Sequence, residues 1–438
     1  MTLVLPTPRL ALGVAFVAIV TALSPLFPVL LGFALALAAM LAGAALADVV
    51  LGPQSHAIRV SRLVPERLAQ LIPTPVTYVL ENISAARLLV RAVDGSDHRL
   101  EIDPQPFSIV LDANESSHVA AAWTGIVRGD VTLSRIDLAV RNAIGLFERR
   151  YRVDVPAQIA VVPPHGVLDR GNLATRNRLT AFGLRRIERI GAGTDFDRLR
   201  AYTPGDSFRR INWKATARRG GLIVAEDRAE RSQHVIVVLD CGRLMSGRID
   251  QRSKLDYALD AALALSRVCL LAGDSVGFCA FADRELRWLG PKSHSSQFAS
   301  MREAGYDLQP LACESDYARA AGSLSKHVSK RALFVLFSDV FDPDQVRETV
   351  GAFRLLLGNH LVFLALMNDA AFETAAATEP RDRASAFEAG TALALLDERR
   401  HAVARLRSLG FDVKDVAPST LAGATVESYL SIKALNRL

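Results

Sequence analysis

The rhythm of hydrophobic positions changes three times along the 438-residue chain. From Leu10 to Leu51 it is continuous, and LALGVAFVAIVTALSPLFPVLLGFALALAAMLAGAALADVVL carries no charge before Asp48. That run holds two helices of about 18–20 residues, each long enough for a hydrocarbon core. Ser24, Pro25 and Pro28 mark the break between them. A secretory signal has one short apolar core and a small-residue cleavage site, so two cores in tandem predict a membrane hairpin over residues 1–52. Arg9 precedes the first span, Arg59, Arg62 and Arg67 follow the second, and the SPLFP turn is uncharged. This predicts both ends in the cytoplasm. Ala36, Ala38, Ala39, Gly43, Ala44 and Ala45 predict close approach of the two helices.

Residues 53–164 switch to short alternating runs: VTYVLENIS (76–84), RLLVRAVD (87–94), FSIVLD (107–112), HVAAAWTGIV (118–127), VTLSRIDLAV (131–140) and YRVDVPAQIAVVPP (151–164). Turn clusters at Asp94–Asp97 and Asp112–Glu115 separate them. The spacing predicts a small antiparallel β-sandwich of about 100 residues.

From residue 233 to 438 apolar runs and helical periods alternate. HVIVVLD (234–240), SVGFCAFAD (275–283), RALFVLFSD (331–339), HLVFLALM (360–367) and FDVKDV (411–416) read as strands. Helices are predicted over 255–273, 343–358, about 384–409 and about 420–435. Continuous rather than alternating strands imply a sheet covered on both faces, hence a doubly wound α/β domain. Ligands in such sheets sit at the carboxyl ends of the strands.

Charge and cysteine content narrow the classes. The net charge of +6 is carried almost wholly by arginine and spread over the whole chain. Beside a membrane it suits anionic headgroups better than nucleic acid, and no nucleic acid is expected. Cys241, Cys269, Cys279 and Cys313 show neither zinc-ligand spacing nor disulfide density, in keeping with a reducing compartment. A phosphate loop, a HExxH zinc motif and a nucleophile elbow are all missing. GAGTDF (191–196) lacks the third glycine of a dinucleotide loop.

The strand end VVLDCGRLM resembles the first loop of a von Willebrand factor type A domain, where a strand ends in D-x-S-x-S. In that family the carboxylate and two hydroxyls join a downstream Thr and a further Asp to hold a divalent ion. Asp240 matches the first Asp, Asp339 the second acidic position, and Ser315 stands for the Thr. Gly242 and Leu244 occupy the serine positions, and Arg243 adds a cation. With two oxygen ligands missing, Mg2+ would be held only weakly. The expectation is a degenerate loop that keeps the fold, with no cofactor.

Between the sandwich and the α/β domain, residues 165–232 hold FDRLRAYTPGDSFRRINWKATARR (196–219). From Gly191 to Arg228 there are eight Arg/Lys and five Asp/Glu, so much of the charge is neutralised locally. Aromatic residues interleaved with arginines predict a structural clamp built on Arg200, Asp206, Arg209 and Trp213, fixing the sandwich to the α/β domain. The ordered set Gly193, Phe196, Leu199, Arg200, Tyr202, Gly205, Asp206, Arg209, Ile211, Trp213, Lys214, Ala217 and Arg218 resembles the signature of the domain of unknown function 58 family. RGDVTLSRIDLAVRNAIGLFERR (128–150) and AVVPP (160–164) are similar to that family's sandwich. The resemblance implies a type A-like domain after the signature, and a gene partner that is a MoxR-type AAA-plus ATPase, often beside a transglutaminase-like membrane protein. It implies no catalytic residue.

The function expected is therefore a non-catalytic adaptor anchored in the lipid bilayer of a bacterial inner membrane. Its soluble domains lie in the cytoplasm and serve maturation or assembly of envelope-associated clients. The alternative is a metal-dependent hydrolase using Asp240, Asp339 and Asp206.

Overall fold

The computed structural model describes residues 3–53, 57–95, 97–164, 190–203, 211–228, 233–339 and 343–435. The chain divides into two compact units, Met1–Pro164 and His165–Leu438.

In the first unit, β1 (Leu3–Pro6) leads into α1 (Pro8–Leu23) and α2 (Val29–Leu51). Pro8 suits the first turn of α1, where its missing N–H has no intrahelical partner to lose. At 1.5 Å per residue the 16 residues of α1 span about 24 Å and the 23 of α2 about 35 Å. Among the described residues, α2 alone is long and apolar enough to cross a membrane. The expected pair of similar spans is thus an unequal pair. Most large apolar side chains of both helices, including Leu12, Phe16, Phe33 and Met40, face outward. The helices meet where a Cβ on Gly13 would stand 3.1 Å from Leu41, and Ala34 is buried, whereas Gly43 faces open space.

Among the described residues, the unit's β-structure comprises ten strands: β1 and the nine that follow the hairpin. These nine are β2 (Ile58–Leu63), β3 (Arg67–Ala69), β4 (Thr74–Asn82), β5 (Leu88–Asp94), β6 (Leu100–Asp103), β7 (Phe107–Leu111), β8 (Ser116–Gly125), β9 (Gly129–Asn142) and β10 (Phe147–Val162). They form two sheets, β1-β10-β9-β5-β7 with β3 beside β10, and β2-β4-β8-β6. Alternating inward positions such as Val76, Tyr78, Leu80 and Val90 fill one core with Trp123. Inside it, Tyr78 donates to Asp94 (2.7 Å), Trp123 Nε1 donates to Tyr78 (3.0 Å), and Arg62 pairs with Asp94. Arg62 is therefore used within the sandwich rather than as a free charge flanking the hairpin.

Both ends of the hairpin are tied to the β9–β10 turn. The buried Asp48, near the end of α2, accepts from the backbone N–H of Leu146 (2.7 Å) and Phe147 (2.8 Å). Thr7, before α1, donates its hydroxyl to Gly145 O at 2.7 Å. The lone acid of the apolar run thus meets two backbone donors.

The second unit opens with β11 (Ile190–Ala201) paired antiparallel to β12 (Ile223–Arg228) around the short helix α3 (Trp213–Arg219). A six-stranded sheet follows, built from β13 (His234–Asp240), β16 (Ser275–Phe281), β17 (Glu285–Lys292), β18 (Ala332–Ser338), β19 (Leu361–Met367) and β20 (Asp412–Val416). β14 (Arg248–Ile249) and β15 (Arg252–Ser253) form a small separate ribbon. The sheet order is β17-β16-β13-β18-β19-β20, parallel except for the antiparallel edge strand β17.

Among the described residues, seven further helices follow: α4 (Lys254–Leu271), α5 (Ser296–Gly305), α6 (Tyr317–His327), α7 (Pro343–Leu357), α8 (Ala370–Ala377), α9 (Arg383–Ser408) and α10 (Pro418–Ala434). Side chains of α4 and α10 pack on one face of the sheet and those of α6, α7 and α9 on the other. That two-sided cover explains why β13, β16, β18 and β19 are apolar at nearly every position. Ser253 and Asp256 form a reciprocal cap at the start of α4, and Gly273 follows its end at φ +83°. From β13 the chain crosses first to β16 on one side and later to β18 on the other. The order therefore reverses beside β13, and its carboxyl end lies at the switch point.

Candidate functional site

β13 and β18 run in register with Leu239 opposite Phe337, so Asp240 comes level with Ser338 at the switch point and Asp339 lies one residue beyond. Asp240 is 1% exposed. Its Oδ1 accepts from the Gly242 N–H (2.8 Å) and from the Ser315 hydroxyl; its Oδ2 accepts from Ser338 (2.6 Å) and Tyr317 (3.0 Å). The Tyr317 and Ser338 hydroxyl oxygens lie 2.9 Å apart, so either can donate to the other in place of Asp240. Burial pushes the Asp240 carboxyl above the ordinary aspartate range, against the opposing pull of these donors. Burial, aided by the Asp240 charge, likewise raises the Tyr317 phenol.

Asp339 is buried with different company. Its Oδ2 accepts from Lys254 Nζ (2.5 Å) and its Oδ1 from Arg399 Nη1 (2.7 Å). Arg399 also donates to Met367 O (2.7 Å) and grips Asp415 through Nη2 (2.8 Å) and Nε (3.1 Å). Burial opposes the Arg399 charge, but Asp339 and Asp415 outweigh it and raise the guanidinium above its ordinary range.

The fold brings Asp240 and Ser315 into direct contact and sets Asp339 one residue past the end of the neighbouring strand β18. Gly242 is required: a Cβ there would lie 2.0 Å from Ser315 Oγ and 3.2 Å from both Asp240 Oδ1 and Cys313 O. The Ser315 hydroxyl takes the space that a side chain at position 242 would need. Leu244 lies in a single 3-10 turn, Arg243–Ser246, and Arg243 projects outward to Glu314 at 2.5 Å.

These residues do not fit a divalent ion. Both Asp240 oxygens already accept two donors each, and both Asp339 oxygens face cations of the chain itself. Among the described residues, no cluster of three or more His, Cys, Asp and Glu is arranged to hold a metal.

Lys254, Tyr317, Ser338 and Arg399 complete the locus and were not singled out by motif. One signal was available: Lys254 is one of seven lysines in an arginine-rich chain. All four cysteines are free thiols, and burial pushes Cys279 up to about 12.

Of the signature positions, Gly193, Phe196, Leu199 and Arg200 lie on β11, and the β11–β12 ladder shifts register between Ile190 and Asp195. GAGTDF is thus part of a strand and not a phosphate loop. Gly205, Asp206 and Arg209 lie outside the described residues. Tyr202 is half-buried, and its N–H donates to Leu222 O at 2.9 Å. Ile211 is buried and bridges Val224. Asn212 caps α3 by accepting from the Ala215 N–H at 3.0 Å, and Gly220 closes the helix at φ +71°. On α3, Lys214, Ala217 and Arg218 are exposed, and Trp213 is 66% exposed.

Comparison with protein families places this region. Residues 198–373 match the family described as "Protein of unknown function DUF58". The DUF58 match covers less than half of the chain. It begins inside the signature, after Gly193 and Phe196, and takes in Asp240, Lys254, Ser315, Tyr317, Ser338 and Asp339 but not Arg399. No curated protein sequence matches the chain. Among solved structures, the hypothetical protein BatB from Bacteroides thetaiotaomicron is similar at 14% identity and TM-score 0.31, over 46% of this chain and 99% of that one. The PapD-like domain 7 of human CEP192 shows 12% identity and TM-score 0.18, over 26% and 90%. A FixG-related protein from Vibrio parahaemolyticus shows 9% identity and TM-score 0.19, over 24% and 96%.

Proposed function

We propose that the chain is a non-catalytic, membrane-anchored adaptor working with a MoxR-type AAA-plus ATPase in maturation or assembly of envelope-associated clients. The observation that carries this reading is the satisfied state of the strand-end locus. Asp240 and Asp339 are buried and committed to groups of the chain itself, so neither is presented to a substrate as acid, base or nucleophile. The hydrolase alternative needs at least one of them free.

In this reading the six-stranded unit is a von Willebrand type A-like domain used for binding. A mostly parallel sheet covered on both faces, with its first strand ending in Asp240 at the switch point, supports that assignment. The outward apolar faces of α1 and α2 support a hairpin in a bacterial inner membrane with the soluble units in the cytoplasm. A transglutaminase-like membrane protein is a further partner of the same assembly. Detergent co-purification of the full chain with the ATPase, in ATP and in ADP, tests the reading. Nucleotide-dependent retention is expected; an ATPase that never co-purifies under either nucleotide overturns it.

A further inference from the structure

The turn between β9 and β10 fixes the depth at which the hairpin meets the sandwich. Asp48, the 20th residue of α2 counting from Val29, accepts from the Leu146 and Phe147 N–H groups of that turn. About 20 helical residues cross a hydrocarbon core of about 30 Å. A spanning α2 therefore holds the turn at the edge of the core, where the headgroup layer begins. Arg149 donates through Nη1 to Pro53 O at 3.0 Å and through Nη2 to Val49 O, one of the carbonyls that the end of α2 leaves open. At the start of α1, Arg9 Nη1 donates to Ile144 O at 3.4 Å. Gly145, at φ +68°, makes room for it, since a Cβ there would lie 3.0 Å from the same nitrogen.

Charge is sorted around this turn, with the acids inside and the arginines outside. Asp48 and Glu148 are both buried. Glu148 is gripped by Arg141 Nε at 2.9 Å and by Arg150 Nε at 2.7 Å, yet the Arg150 side chain is 58% exposed and that of Arg141 34%. Arg9 is exposed as well. Arg150 stands three residues past Phe147 on β10, within about 10 Å of the turn along the strand. We propose that Arg9, Arg141 and Arg150 form a binding surface for the phosphates of anionic phospholipids, which seats the sandwich on the bilayer at the β9–β10 turn. Two features select this occupant: the surface continues directly from the end of the apolar α2, and its outward charge is opposite to that of an anionic leaflet. Guanidinium groups pair with phosphate oxygens in a planar fork, and cations beside a membrane gain from its negative surface potential. Ile144, 41% exposed beside Arg9, adds an apolar contact at the acyl boundary. The proposal rests on the membrane-anchor part of the reading above and is independent of the ATPase.

The experiment reconstitutes the full chain into vesicles of phosphatidylcholine alone or mixed in equal parts with phosphatidylglycerol, and follows amide exchange at residues 143–148. In the anionic vesicles exchange is expected to slow about fivefold or more, the factor that one arginine near such a surface contributes, and added salt shrinks the difference. Arg9→Gln combined with Arg150→Gln should remove most of the slowing, while Arg9→Lys with Arg150→Lys keeps most of it. Unchanged exchange at Tyr78 and Trp123 confirms that each sandwich is folded. Equal exchange of the wild type in the two lipids overturns the proposal whatever the variants do. A folded glutamine variant that responds to phosphatidylglycerol as the wild type does overturns it too, and if that variant also loses ATPase co-purification the arginines belong to a protein contact. Flotation separates the two readings: a chain that floats with both vesicles but ignores headgroup charge loses only the headgroup surface, whereas a chain that floats with neither loses the anchor and the surface together.

Discussion

Ser315 and Gly242 occupy each other's space: the hydroxyl oxygen of one lies 2.0 Å from where the other would carry a Cβ. The contact closes the loop after β13 and holds a donor on Asp240. Gly242→Ser is therefore expected to destabilise the domain, because overpacking a closed site costs about 1–3 kcal/mol. Adding Ser315→Gly to the same chain relieves the clash and recovers part of the loss. A double-mutant thermal series measures the coupling, and additive effects would remove the steric account.

Asp240 makes a prediction about pH. Its folded carboxyl is raised by burial, while the unfolded one titrates near about 3.9. The folded state thus holds the proton more tightly. The resulting stabilisation is present below the unfolded value and is lost as pH rises through the folded one. Asp240→Asn keeps an acceptor for the Gly242 N–H and removes the titration, so its melting temperature should gain on wild type between pH 4 and pH 8. Asp240→Ala leaves the Gly242 N–H and the Ser315 hydroxyl without their acceptor and Tyr317 and Ser338 with only each other, and each lost acceptor costs about 1–3 kcal/mol. It should be destabilised throughout that range. Thermal melts of the three proteins across the range provide the check.

Asp48 predicts how the hairpin is held. Its carboxylate takes two N–H groups of the β9–β10 turn, and hydrogen bonds to a charged group are worth about 1.5–3 kcal/mol each. Asp48→Ala should loosen residues 143–148 while leaving the sandwich folded. Faster amide exchange at Leu146 and Phe147, without a change at Tyr78 or Trp123, is the expected pattern.

The parts of the fold that the sequence made legible are those in which one physical demand acts alone. A strand buried on both faces must be apolar throughout, and β13 spans the expected residues 234–240. The ends of the helices predicted over 255–273 and about 384–409 were readable because glycine, which tolerates positive φ, stands there as Gly273 and Gly410. The edge strand β17 was missed because ELRWLGPK has one partner strand and a mixed pattern. Helices α5 and α6 were missed because serine and charged residues interrupt their short apolar faces. In the candidate site, Asp240 and Asp339 were visible as acids ending apolar runs. Their neutralisation was not, because Lys254 and Arg399 lie 85 and 60 residues from Asp339 in sequence and reach it only through packing. Arg62 taught the same lesson in reverse: read as a flanking charge, it lies inside the sandwich on Asp94.

The signature helix separates scaffold from docking surface. The expected clamp gave Trp213 a structural role, but its ring stands largely in solvent at the start of α3, while Ile211, two residues earlier, is buried against Val224. The difference in burial orders the outcomes. Ile211→Ala should cost about 2–5 kcal/mol, as truncation of a buried aliphatic side chain does. Trp213→Ala should stay within about 0.5 kcal/mol of wild type, as exposed positions do. An exposed tryptophan beside Lys214 and Arg218 has the make-up of an interface anchor, so the same Trp213→Ala protein should lose ATPase co-purification while keeping its melting temperature. A large fall in the melting temperature of Trp213→Ala would return the residue to the clamp.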